Sequence, residues 1–110
     1  MVNKSVVKIV KKYLHALSEH GIPVSAGVIF GSYATGKFSE WSDIDLLVVS
    51  SSFDKKRPKR RDIDKLWHVA ADIDSRIEPI AVGVKQYNES NSSWIIEIAR
   101  REGQIIPLAE

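Results

Sequence analysis

At 110 residues the chain suits one domain spanning residues 1–110, able to bury about two-thirds of its unfolded surface in a core that needs no staples. The absence of cysteine excludes disulfides and thiolate metal sites, and it fits the reducing cytoplasm in which the protein is expected. The formal net charge of +2 has a local origin: six of the sixteen Lys and Arg residues fall between Lys55 and Arg61, a window without an acid, so the rest of the chain is net acidic. Lysines interrupt the apolar pattern at the N-terminus, so it lacks a signal-peptide core, and no run approaches membrane-spanning length; no membrane partner is expected. Asn88-Glu89-Ser90 and Asn91-Ser92-Ser93 match the glycosylation acceptor pattern, which a chain that never enters the secretory route would not use.

From Asn3 to His20 apolar residues recur at Val6, Val7, Ile9, Val10, Tyr13, Leu14 and Leu17, a helical stripe with lysines on its other side. Gly21 ends this helix and Pro23 prevents its return. His15 and His20 lack a second ligand type at metal spacing and read as surface histidines. Val24 to Phe30 and Asp43 to Val49 read as two strands, joined by a connection with room for one short helix beginning near Ser32 and ending at Gly36. Ser50 to Arg61 is polar and aperiodic, a loop. A helix follows with apolar positions Ile63, Leu66, Trp67, Ala70 and Ala71, and Pro58 lies near its start. Arg76 to Val84 reads as a third strand, Gln86 to Glu102 contains helical spacing at Trp94, Ile95, Ile98 and Ala99, and Ile105 to Leu108 reads as a short edge strand. The expected fold class is α/β: a small mixed sheet flanked by helices.

Asp43 and Asp45 are two residues apart in a strand, so both carboxylates project from one face, and like charges that close repel unless a cation sits between them. Antiparallel pairing of the first two strands brings Gly31-Ser32 beside this pair. Parallel pairing of the second and third, which a helical crossover favours, brings Glu78 to the same end. Three converging carboxylates suit Mg²⁺, which takes a few carboxylate oxygens together with phosphates and water, and they suit a two-metal arrangement. Gly31 allows close backbone approach, and the amides and hydroxyl at Ser32 can accept the β and γ phosphates of a nucleoside triphosphate.

Gly31-Ser32, ten intervening residues and then Asp43-Ile44-Asp45 match the G-S-x10-D-x-D signature, and F-G-S-Y-A-T-G-K-F-S-E-W-S-D-I-D-L-L-V-V resembles the minimal nucleotidyltransferase (MNT) branch of the DNA polymerase β-like nucleotidyltransferases. The resemblance extends over nearly the whole chain, through R-I-E-P-I-A-V and the last helix. It implies a polymerase β-like nucleotidyltransferase core that moves a nucleoside monophosphate from an NTP, ATP foremost, to a hydroxyl acceptor. By position it gives Gly31 and Ser32 to the nucleotide phosphates, Asp43 and Asp45 to Mg²⁺, and Glu78 to the third carboxylate, as ligand or general base, with Asp74 the competing candidate. Members of this branch are often paired with a helical HEPN protein as toxin and antitoxin, so a tyrosine or serine of such a partner is one expected acceptor. A non-catalytic module that neutralises the partner is the alternative. The chain departs from the pattern at Tyr33 and Thr35, where basic residues are common, and Lys37 is the nearest substitute.

Trp41 is expected to cover the core rim, with base stacking as the alternative. The basic run Lys55, Lys56, Arg57, Lys59, Arg60 and Arg61 could meet a nucleic-acid phosphate backbone, but no aromatic residue interleaves with it, so it offers no base-stacking platform.

Overall fold

The computed structural model describes residues 2–39, 41–89 and 93–108. Its first helix, α1 (Lys4–Glu19), starts where the Asn3 side chain accepts from the amides of Ser5 and Val6, 2.8 and 3.3 Å away. Such an N-cap satisfies donors that a first helical turn cannot. At the other end Gly21 takes φ 89°, its amide donates to the Ser18 carbonyl, and the Ile22 amide donates to that of Leu17. These two bonds form a Schellman closure, and the left-handed residue it needs is the glycine. Val6, Val10, Tyr13, Leu14 and Leu17 form the buried stripe.

Four strands follow with helices between them: β1 (Val24–Phe30), α2 (Ser32–Thr35), β2 (Ile44–Ser50), α3 (Arg60–Ile73), β3 (Ile77–Val82), α4 (Val84–Glu89), α5 (Trp94–Glu102) and β4 (Gln104–Pro107). They form one sheet in the order β3-β2-β1-β4. β1 pairs antiparallel with both β2 and β4, while β2 and β3, joined through α3, run parallel. A crossover with a helix is the connection that parallel strands require. Pro79 cannot donate to a ladder, and it stands in β3, an edge strand of the sheet.

Side chains of β2 alternate between two cores. Ile44, Leu46 and Val48 join Ile29, Ile77 and the stripes of α1 and α3, whereas Leu47 joins Val28, Phe30 and Val82 under Ile96 and Ala99 of α5. Each fully buried Leu or Ile contributes about 1.5–3 kcal/mol, so β2, flanked on both sides and covered on both faces, is firmly anchored, as is β1 beside it. The charged residues Asp43 and Asp45 sit where this apolar run begins.

Several boundaries differ from the sequence expectation. The polar loop after β2 is shorter at both ends: Ser51–Phe53 forms a 3-10 turn capped by the Ser50 side chain and anchored by buried Phe53, and α3 starts at Arg60. The third strand stops at Val82, and Val84 already begins α4; the region after it is two helices. The acceptor patterns at Asn88 and Asn91 run through residues 90–92, which lie outside the described residues. On α3 the buried positions are Leu66, Val69 and Ala70, so the stripe is rotated from the one expected and Trp67 and Ala71 are exposed. Trp94 is likewise exposed on α5, and Trp41 is 85% exposed, so it does not cover the core rim.

The hydroxyl of Tyr13, fully buried, donates to the Leu66 carbonyl at 2.8 Å and clamps α1 to α3. Burial pushes its phenol well above the ordinary range, so it is a neutral donor. Tyr13→Phe is expected to cost about 1 kcal/mol, the net worth of one buried neutral hydrogen bond. A urea denaturation midpoint lowered at unchanged slope would show this.

Candidate active site

The site lies at the end of the sheet where β1 finishes and β2 and β3 begin. In the antiparallel register Phe30 faces Asp45, which puts Gly31 against the Asp45 side chain. Gly31 has φ 74° and ψ −149°, and a Cβ there would run into the Asp45 carboxylate, so both backbone conformation and space require glycine. The Gly31 carbonyl accepts from the amides of Ala34 and Thr35, both at 3.1 Å, and starts the four-residue helix α2; Gly36 is its C-cap. In the parallel register Asp45 faces Glu78.

The carboxylates feel one another. The Asp45 carboxyl is raised above its ordinary range, first by burial and then by the charge of Asp43. Glu78 is raised by a hydrogen bond with Asp43, then by burial and by the charges of Asp43 and Asp45. Both shifts point the same way: crowding the three acids disfavours their charged forms, and a cation between them would relieve it. No group of three His, Cys, Asp or Glu among the described residues is assembled as a ready-made metal cage. Mg²⁺ does not need one, because it is ordinarily held by one or two carboxylates with the remaining positions filled by substrate phosphate and water. Hard oxygen donors, mutual repulsion and a glycine that leaves space beside Asp45 fit that ion.

Asp74, the other candidate for third acid, is engaged elsewhere. It accepts from Arg76 Nε at 3.0 Å and Nη2 at 2.8 Å, and this pairing, chiefly its hydrogen bond, holds its carboxyl below the usual range. The structure therefore brings Glu78, and not Asp74, to Asp43 and Asp45. Tyr33 does not face outward: it is buried, stacks on Phe38 with ring centroids 4.7 Å apart, and accepts from Arg76 Nη1 at 3.0 Å. Lys37 is exposed. The basic residues Lys55, Lys56, Arg57, Lys59, Arg60 and Arg61 are exposed around the start of α3, while Ala70 and Ala71, near its other end, line the cleft beside the acids.

Two features were missed at the level of sequence. One is this Arg76 network, of which only the Asp74-Arg76 proximity was visible. The other is a cleft of about 340 Å³ against Asp43 and Glu78, walled by the outward-turned Trp67, by Ala71 and by Ser75.

With this geometry in place, comparison with known proteins assigns the family. A model of the nucleotidyltransferase domain matches residues 8–104, and the chain belongs to that family. A solved structure described as a candidate nucleotidyltransferase from Sulfolobus solfataricus superposes with a TM-score of 0.59 at 18% identity, covering 90% of this chain and 77% of the other. A toxin–antitoxin structure solved with AMP-PNP also gives 0.59, at 20% identity, covering 86% of this chain and 70% of that one. At these identities the likeness is one of fold. No curated protein sequence matches the chain.

The lowered Asp74 carboxyl has a consequence for acid stability. Its folded value lies below the unfolded value of about 3.9, so the pair's stabilisation is fully present above that pH and is lost as pH falls through the folded value. Asp74→Asn should therefore lower stability at neutral pH by on the order of 1 kcal/mol and flatten the loss below about pH 4, as thermal melts across pH 2–7 would register.

Proposed function

We propose that the chain is a Mg²⁺-dependent nucleotidyltransferase that transfers a nucleoside monophosphate from an NTP, ATP foremost, to a hydroxyl of a partner protein. The observation that carries this reading is the single point at which Gly31, Asp45 and Glu78 meet, drawn from three strand ends. Asp43 and Asp45 would hold the ion, with Glu78 beside them, and the ion would supply charge neutralisation of the triphosphate. The Gly31-Ser32 turn would hold the β and γ phosphates, leaving the α phosphate toward β2. The acceptor oxygen forms a bond to the α phosphorus, the bond from that phosphorus to the β-bridging oxygen breaks, and pyrophosphate leaves. Glu78 takes the acceptor's proton. Catalysis here is mainly in-line positioning and electrostatic preorganisation.

A protein acceptor is supported by the toxin–antitoxin neighbour, and an adenine nucleotide by the AMP-PNP it was solved with. The partner chemistry we favour is a helical HEPN protein offering a tyrosine or serine. A second reading, an antitoxin-like module that neutralises its partner by binding alone, draws on one observation: α2 carries Tyr33 and Thr35 in place of phosphate-binding cations, and Tyr33 is turned inward.

Incubation with Mg²⁺, α-labelled ATP and the product of the neighbouring reading frame separates the two. We expect label on the partner, lost by at least a hundredfold in Asp43→Asn with Asp45→Asn, roughly what removing a principal electrostatic element costs. Label transfer that survives both substitutions contradicts the catalytic reading. Neutralisation that survives them without any label in the wild type establishes the binding module.

A further inference from the structure

A four-residue helix cannot persist on its own, since helix nucleation is unfavourable and α2 gains almost no propagation. Something else must hold the turn that begins at Gly31 and Ser32. Ala34 rests on the core and the Thr35 hydroxyl donates to the Gly31 carbonyl, but the one buried residue of α2 is Tyr33, whose ring is stacked on Phe38 and whose hydroxyl donates to the Ser39 carbonyl at 3.4 Å while accepting from Arg76 Nη1 at 3.0 Å. The guanidinium also lies over the Tyr33 ring, 5.9 Å from its centroid.

Arg76 is itself locked. Asp74, the C-cap of α3, receives its Nε, its Nη2 and its backbone amide, the last at 2.9 Å. The carbonyl of Arg76 accepts from the amide of Ile44 at 2.7 Å, and Ile44 is the residue between Asp43 and Asp45. One residue thus bears on each part of the site: its backbone holds the residue between the two aspartates, it stands in the turn that leads into β3 and Glu78 two positions on, and its side chain holds the helix that follows Gly31-Ser32.

We propose that Arg76 is a positioning residue that sets the phosphate-holding turn against the carboxylates, a proposal that rests on the nucleotidyltransfer reading. Because Asp74 takes the whole Nε–Nη2 edge of the planar fork, the remaining Nη1 has a fixed direction, toward Tyr33. A lysine, with one rotatable point charge, cannot hold Asp74 and Tyr33 in this geometry at once. The arrangement also accounts for Tyr33: a basic side chain at that position would face the Arg76 guanidinium, whereas a phenol accepts from it. A cation is retained next to α2, but it is supplied from the turn just before β3 and used to place the backbone.

The test is calorimetric binding of a non-hydrolysable ATP analogue with Mg²⁺ to the full chain, at a temperature where circular dichroism shows every variant folded. Tyr33→Phe, which keeps the ring and removes the hydroxyl, and Arg76→Lys, which keeps the charge and removes the fork, should each weaken binding roughly tenfold, the worth of one charge-assisted hydrogen bond. Tyr33→Phe added to Arg76→Met should cost less than a further twofold in binding, because the shared contact is already gone and only the long bond to Ser39 is left to lose. Arg60→Met, which removes an exposed cation paired with Asp64 at the start of α3, should bind as the wild type does. Wild-type affinity in Tyr33→Phe and Arg76→Lys, or an equal loss in Arg60→Met, overturns the proposal while leaving the nucleotide site standing. A wild type that binds no nucleotide removes the functional reading and this one with it.

Discussion

Three carboxylates are held together at one end of β2, and electrostatics alone would separate them. Two of the carboxyl groups are raised, Asp45 by burial and then by the charge of Asp43, and Glu78 by a hydrogen bond with Asp43, then by burial and the charges of Asp43 and Asp45. A group that binds its proton more tightly in the folded state than in the unfolded chain lowers stability as pH rises through its range. Left without a cation, this end of the sheet therefore works against the fold at neutral pH. What imposes the crowding is the core. Leu46, Leu47 and Val48 are fully buried between two layers, and a slip of one residue would turn each to the wrong face. With the register of β2 fixed this way, Phe30 must face Asp45 on one side and Glu78 must face it on the other. Apolar burial in mid-strand thus forces an arrangement of acids that a cation would relieve.

The same strand explains why so much could be read from the residues. The period of two in β2 and the period of 3.6 in α1 are strong because each element is anchored by a continuous apolar face. The helical crossover indicated parallel pairing for β2 with β3, while the antiparallel pairing of β1 with β2 was a supposition that the structure bears out, and the two together bring Gly31, Asp45 and Glu78 to one place. The limits were equally physical. Helical spacing identifies a stripe without fixing its flanks, which is why Trp67 and Ala71 were assigned inward when Leu66, Val69 and Ala70 take the buried positions. Spacing left Asp74 and Glu78 as rivals, and only the ion pair with Arg76 removes Asp74. The bond from Arg76 to Tyr33 spans 43 positions, and no local pattern announces it.

That long-range contact changes how the departure at Tyr33 is understood. Judged along the chain, Tyr33 and Thr35 were missing cations in a phosphate-binding turn. In three dimensions Tyr33 is a structural anchor, buried against Phe38 and tied to a guanidinium that is itself fixed by Asp74. The nucleotidyltransferase domain is met here in a form whose turn is held from behind, by the residue that precedes the strand carrying Glu78. The outward Trp67 beside the acids and the inward Tyr33 behind them leave the open side of the site on the β3 edge, where the cleft lies.

A carboxylate cluster crowded by the fold would be relieved by a cation, as proposed for this site. That proposal is tested most directly by melting temperatures of the wild type and Asp45→Asn at neutral pH, with and without millimolar Mg²⁺ and a non-hydrolysable ATP analogue. The account predicts that Asp45→Asn melts above the wild type when no ion is present, since it removes one of the opposed charges, and that only the wild type is raised by Mg²⁺ with nucleotide. A wild type indifferent to Mg²⁺ and nucleotide, or an Asp45→Asn variant that responds to them equally, would contradict it.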